Sequence, residues 1–136
     1  MASDIFSVTS FSELSHDARA AERHNRLKPT DEPQESHISR CLSGIAPIVA
    51  ATDYVRAYPA TIASYVSAPY VVLGTDGFGR SDSRAALRDF FEVDRRHIAI
   101  AALSALVGER ELAREHLAAA IVRYKVDVER AAPWTV

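Results

Sequence analysis

The residue types best suited to chemistry crowd into Gly74-Thr75-Asp76-Gly77-Phe78-Gly79-Arg80-Ser81-Asp82-Ser83-Arg84. A glycine loop that runs into a helix N-terminus points free N–H groups at one spot, which suits a phosphate or a carboxylate. The spacing here is G-x-x-G-x-G rather than the dinucleotide G-x-G-x-x-G, and no G-K-[ST] follows. A sharply shaped strand-to-helix turn accounts for the same glycines, because glycine tolerates positive φ and close backbone approach. As nucleophiles, Ser81 and Ser83 would need a base within hydrogen-bond reach, and only His97 lies nearby in sequence. As helix caps, together with Asp82, they need nothing further. Asp76 is expected to accept hydrogen bonds from nearby N–H groups or to pair with Arg80 or Arg84. His16 and His24 stand about two helical turns apart, whereas helical metal pairs sit at i, i+4 with a third ligand; they read as solvated or packed. Cys41 is the single cysteine, and with no signature around it, it reads as a buried structural thiol.

Strands and helices must position that loop. Tyr70 to Leu73 is a short β-branched run bounded by glycine, the pattern of a buried parallel strand. The helix after Ser83 carries Leu87, Phe90 and Phe91 at helical spacing. Upstream, Asp4 to Phe11 has strand character, and Ser12 opens a thinly apolar helix to Leu27. Residues 28–47 form a polar, proline-bearing connection with a short helix near Ile38 to Leu42. Pro47 to Thr52 is a second strand, and Asp53 is expected to cap a helix running to about Val66, kinked or restarted at Pro59. Phe91 to Val93 reads as an extended link. Residues 94–136 then hold two helices, the first capped by Asp94 and ended by Gly108 as a left-handed residue, before a tail with Trp134. Alternating strands and helices predict a three-layer α/β/α domain with a mostly parallel sheet.

At 136 residues the chain is one domain, and a net charge of −2 gives no footprint for nucleic acid or an anionic membrane. One cysteine excludes an internal disulfide and fits a reducing compartment. With no signal peptide and no apolar run of spanning length, the expected location is the cytoplasm.

The stretch Gly74 to Arg84, with Leu87 and Phe91-Glu92-Val93-Asp94, resembles the C-terminal domain of the homodimeric, bacterial-type pyruvate dehydrogenases. The likeness extends to Phe6-Ser7-Val8-Thr9-Ser10-Phe11, Glu13-Leu14, Glu22-Arg23, Leu27, Pro29-Thr30 and Ala51-Thr52-Asp53-Tyr54. That family is the thiamine-diphosphate-dependent first component of its complex, and its last domain resembles that of transketolase. The resemblance implies a part of an enzyme that decarboxylates pyruvate and acetylates lipoyl groups. It implies partners too: the remaining domains, the second subunit and the lipoyl acetyltransferase. The family binds magnesium and thiamine diphosphate through Gly-Asp-Gly and a downstream Asn-Asn. Here Asp76-Gly77 follows Thr75, and Asn25 is the only asparagine. No catalytic, cofactor or metal residue is therefore carried over, and the loop residues Gly74, Asp76, Gly77, Gly79, Arg80, Ser81, Asp82 and Arg84 are expected to be structural. By the same resemblance the chain is an incomplete C-terminal domain lacking its first strand. That strand would lie between the Ile5 and Ile48 strands, and the expectation is an open slot there. The different reading is a free-standing module that binds a small anion at the Gly74–Ser83 loop.

Overall fold

The β-branched runs around Ile48 and Val71 pair directly in the computed structural model, which describes residues 2–136. Strand β1 (Ile48–Ala51) and strand β2 (Tyr70–Leu73) are parallel, with Ile48 opposite Tyr70 and Ala51 opposite Leu73. Among the described residues the sheet has these two strands only. The chain is thus an α/β fold, as expected, but with a smaller sheet.

The strand expected at Asp4 to Phe11 does not form. Residues 2–9 are exposed, and Ile5 is 93% accessible. Ser10 is the reason the segment stops at Phe11: its hydroxyl accepts from the Glu13 N–H, so the cap falls there and not at Ser12. There is accordingly neither a slot between an Ile5 strand and β1 nor a closed ladder, because the first partner is not a strand.

Helix α1 (Phe11–Leu27) buries only Ala18 and Ala21 of its sparse apolar face. Ala18 packs with Ile38, from the short helix α2 (His37–Cys41), and with Ile62. Phe11, Leu14, Tyr65 and Tyr70 close around this cluster. The long polar connection is pinned by Asn25, whose side chain both donates to and accepts from the backbone of Gln34.

The helix expected from Asp53 to Val66 is broken in two. Only α3 (Ala57–Ala60) and a 3₁₀ turn at Ala63–Tyr65 form. Pro59 has no N–H to donate, and the Thr61 hydroxyl takes the Tyr58 carbonyl at 2.6 Å, ending the turn. Asp53 caps nothing here; it faces Arg88.

Helix α4 (Arg84–Phe90), α5 (Arg95–Gly108) and α6 (Arg114–Tyr124) follow. Phe91 and Val93 are buried just after α4, and Phe90 stands edge-on to Phe91 with the Arg80 guanidinium 3.9 Å over its ring. Helix α5 packs on both strands and on α6. All three helices end alike. After α4, Val93 N–H reaches the Arg88 carbonyl and Glu92 N–H that of Asp89. Glu111 and Arg110 do the same to Leu106 and Val107, and Val126 and Lys125 to Ile121 and Val122. Such paired bonds require one left-handed residue. Glu92, Arg110 and Lys125 take that role, with φ of 59°, 62° and 55°. The Phe91–Val93 link is therefore a tight turn, not extended, and Gly108 belongs to α5 while Arg110 supplies the left-handed position.

Candidate functional site

The glycine loop sits where the carboxyl end of β2 meets the rest of the chain, the usual place for a ligand crevice in an open parallel sheet. Its interior is filled by the chain itself. Gly74 is wedged against Arg56 and the Tyr54 carbonyl; a Cβ there would lie 2.8 Å from each. Thr75 donates its backbone N–H to the Tyr54 carbonyl and its hydroxyl to the Asp53 carbonyl. Asp76 accepts from the Arg56 N–H at 3.1 Å and lies 3.9 Å from the Arg56 guanidinium. Its partner is thus Arg56 rather than Arg80 or Arg84. Gly77, at φ 115°, lies under the Pro133 carbonyl of the tail, which is buried although Trp134 is not. Gly79 faces open space.

The serine cluster resolves into one cap. Ser83 accepts from the Ala86 N–H and starts α4, while Asp82 accepts from the Ser83 N–H. Ser81 and Arg84 are exposed, and His97 is bonded to Asp94. An anion at this loop would face the carboxylates of Asp76 and Asp82 and the Pro133 carbonyl. Of the two arginines in this stretch, Arg80 is turned onto Phe90 and Arg84 is exposed at the start of α4. The Gly74 and Gly77 side of the loop is thus packed against Arg56, Tyr54 and the tail, while Arg80, Ser81 and Asp82 border a small cavity with Ala86, Leu87 and Phe90.

A second cluster lies beside an open cleft of about 800 Å³ at the carboxyl end of β1, lined in part by Thr52, Asp53, Arg88, Asp94 and Arg96. Arg88 grips Asp53 through two bonds of 3.1 and 2.7 Å. Those bonds from Arg88 hold the Asp53 carboxyl below the usual carboxylate range. Asp94 caps α5 by accepting from the N–H groups of Arg96 and His97. Its carboxylate also takes the Arg96 guanidinium and His97 Nδ1, each at 2.7 Å. Burial pushes Asp94 up, yet the His97 N–H, the Arg96 side chain and the His97 ring outweigh it and bring it down to about 2. Asp89 binds Arg96, and it receives Arg130 on both its carboxylate and its backbone carbonyl.

Asp89, Asp94 and His97 are the one group among the described residues close enough to share a metal ion. Their facing atoms are already spoken for by Arg96, Arg130 and the α5 N-terminus. A cation there would have to displace two guanidinium groups, so the arrangement is an ion-pair staple between α4, α5 and the tail. His97 is buried with its Nε2 unpartnered, and that atom belongs to the ring edge not bonded to Asp94.

Cys41 is exposed, contrary to the buried thiol expected, because Ile38 and Leu42 take the inward face of α2. His37 Nε2 lies 3.4 Å from its sulfur. His16 faces Glu13 on the exposed side of α1.

Neither Asp76 nor Asn25 has a free side chain to offer a diphosphate with its magnesium. Asp76 is committed to Arg56, and the side chain of Asn25 is committed to Gln34. The Asp53–Arg88 pair and the Arg130 clasp escaped sequence reading because each joins residues far apart in the chain. The Asp94 cap of α5 was readable, since a short acidic residue just before an apolar periodic run marks a helix start, whereas its bond to the His97 ring was not.

Comparison with known proteins gives the loop its context. The chain is 47% identical over 135 residues to the pyruvate dehydrogenase E1 component of Cupriavidus necator, covering 98% of this chain and 15% of that protein. It is 48% identical over 132 residues to the E1 component of Pseudomonas aeruginosa, and 43% identical over 132 residues to that of Escherichia coli K12. In both cases the match covers 96% of this chain and 15% of the relative, so the chain spans about a seventh of the length of the curated relatives it matches. The family model described as the transketolase-like TK C-terminal domain matches residues 1–94, the stretch that holds both strands and the glycine loop, and the chain belongs to that family.

Proposed function

We propose that this chain serves a pyruvate dehydrogenase E1 component as an assembly element: it packs on the other domains and the second subunit, and the chemistry is done elsewhere. The observation that carries this reading is the near-complete match of the chain to one small part of the E1 components. The inward commitment of the glycine loop supports it. Asp76, Gly77 and Thr75 hold Arg56, the tail and Asp53, so the loop ties the domain together and holds no reactant. Thiamine diphosphate, magnesium, pyruvate and the lipoyl acceptor then belong to the whole enzyme. A reducing cytoplasm suits the unpaired thiol of Cys41. No helix of the described residues is long and apolar enough to cross a membrane.

Two assays test the proposal. The purified chain, given pyruvate, thiamine diphosphate, magnesium and an electron acceptor, should release carbon dioxide at the rate of a protein-free blank. A chimaera of the Pseudomonas aeruginosa E1 component, with its matched region replaced by this chain, should assemble and retain turnover. Decarboxylation by the isolated chain would overturn the division of labour; a folded chimaera that fails to assemble would overturn the assembly role.

A further inference from the structure

His37 and Cys41 stand one turn apart on α2, so their side chains share a face. That face turns away from the core, because Ile38 and Leu42 take the inward side. His37 Nε2 lies 3.4 Å from the Cys41 sulfur. The platform beneath the pair is fixed at several points. The Ser36 hydroxyl caps α2 by accepting from the Ser39 N–H, and Ile38 is buried. The Asp17 carboxylate accepts from the His37 N–H at 2.7 Å and brings negative charge to that end of the helix. Arg40, the cation between the two residues in sequence, donates from its guanidinium to the Glu35 carbonyl.

We propose that His37 and Cys41 chelate a zinc ion, through the ring Nε2 and the thiolate. Zinc takes thiolate sulfur at about 2.3 Å and imidazole nitrogen at about 2.0–2.1 Å, and at a tetrahedral angle those bonds set sulfur and nitrogen about 3.5 Å apart. The pair already stands at 3.4 Å, so it closes on the ion with little movement. Binding breaks the S–H bond and releases its proton to solvent, while Zn–S and Zn–N bonds form. Water completes the coordination. A thiolate with an imidazole selects zinc over magnesium, which prefers oxygen ligands. Asp89, Asp94 and His97 offer three groups, but an ion there must displace Arg96 and Arg130. At α2 the bond given up is the one that His37 and Cys41 make to each other. The site does not depend on the assembly reading above.

Calorimetric titration of the reduced full chain with zinc chloride tests the proposal, alongside Cys41→Ser and His37→Gln variants. Both side chains are exposed, so the circular dichroism spectrum of each variant should match that of the parent. The parent should bind one ion per chain and release a proton, and each substitution should weaken binding at least tenfold. Cobalt(II) in place of zinc should give a thiolate charge-transfer band that Cys41→Ser abolishes. In the unsubstituted chain, zinc should slow alkylation of Cys41, and magnesium in large excess should not. A chain that takes up no zinc, uptake that survives either substitution, one ion shared by two chains, or alkylation that zinc leaves unchanged would each overturn the proposal.

Discussion

At Gly77 a Cβ would meet the Pro133 carbonyl oxygen at 2.8 Å while the backbone holds φ at 115°. Gly77→Ala should therefore cost about 1–3 kcal/mol, the range of a residue forced into a glycine conformation, whereas Gly79→Ala, with open space around it, should cost a few tenths at most. Denaturant midpoints of the two variants check this contrast; equal values would mean the tail does not rest on the loop. Asp94 makes a second residue-scale case. Its folded pKa, about 2, lies below the ordinary 3.8. A depressed carboxyl contributes stability that is full above the unfolded pKa and is lost as pH falls through the folded one. Stability should thus fall between about pH 4 and pH 2, with Asp94 contributing on the order of 2 kcal/mol. Asp94→Asn should lower stability at pH 7 and flatten that part of the pH profile. Tyr70 works at the other end: burial pushes its hydroxyl up to about 12, and it donates to the Pro59 carbonyl. Stability held by the neutral phenol is full below pH 10 and is lost toward pH 12.

Among the elements, the helix ends differ from the starts in how they are written. Ser83 and Asp94 announce α4 and α5 through side-chain chemistry that any reader of the chain can find. Ser83→Ala should cost about 0.5–2 kcal/mol, and Ser81→Ala next to nothing, since only Ser83 accepts from the helix. The ends are set by backbone bonds, so a left-handed residue need not be glycine when packing dictates the turn. That is why Gly108 misled and Arg110 did not announce itself. The strain offers a test: Arg110→Gly and Lys125→Gly should each raise the unfolding midpoint, by up to about 1 kcal/mol in stability. Strands β1 and β2 were legible because continuous β-branched runs between glycine and proline admit little else. The Asp4–Phe11 run has similar composition yet stays unpaired, because a strand requires a neighbour and sequence alone does not say whether one is present. The Asp53 helix failed at Pro59, whose ring restarts the chain instead of bending it.

For the molecule as a whole, the fold class and the shape of the glycine loop could be read from the chain. What could not be read was how the loop is closed, since its partners Arg56 and Pro133 lie well to either side of it. Closure comes partly from the tail, where Arg130 clasps Asp89 and Pro133 covers Gly77. Phe91→Ala should cost about 3–5 kcal/mol as a buried aromatic, and Phe90→Ala clearly less, because Phe90 is only half-buried under Arg80; thermal unfolding separates the two. The tail contact also imposes an order in time. During synthesis Gly77 leaves the ribosome well before Pro133, so the loop waits uncovered while α5 and α6 are still being made. A released chain truncated after Glu129 should hold its two strands yet leave Gly77 open to rapid amide exchange, and the full chain should protect it.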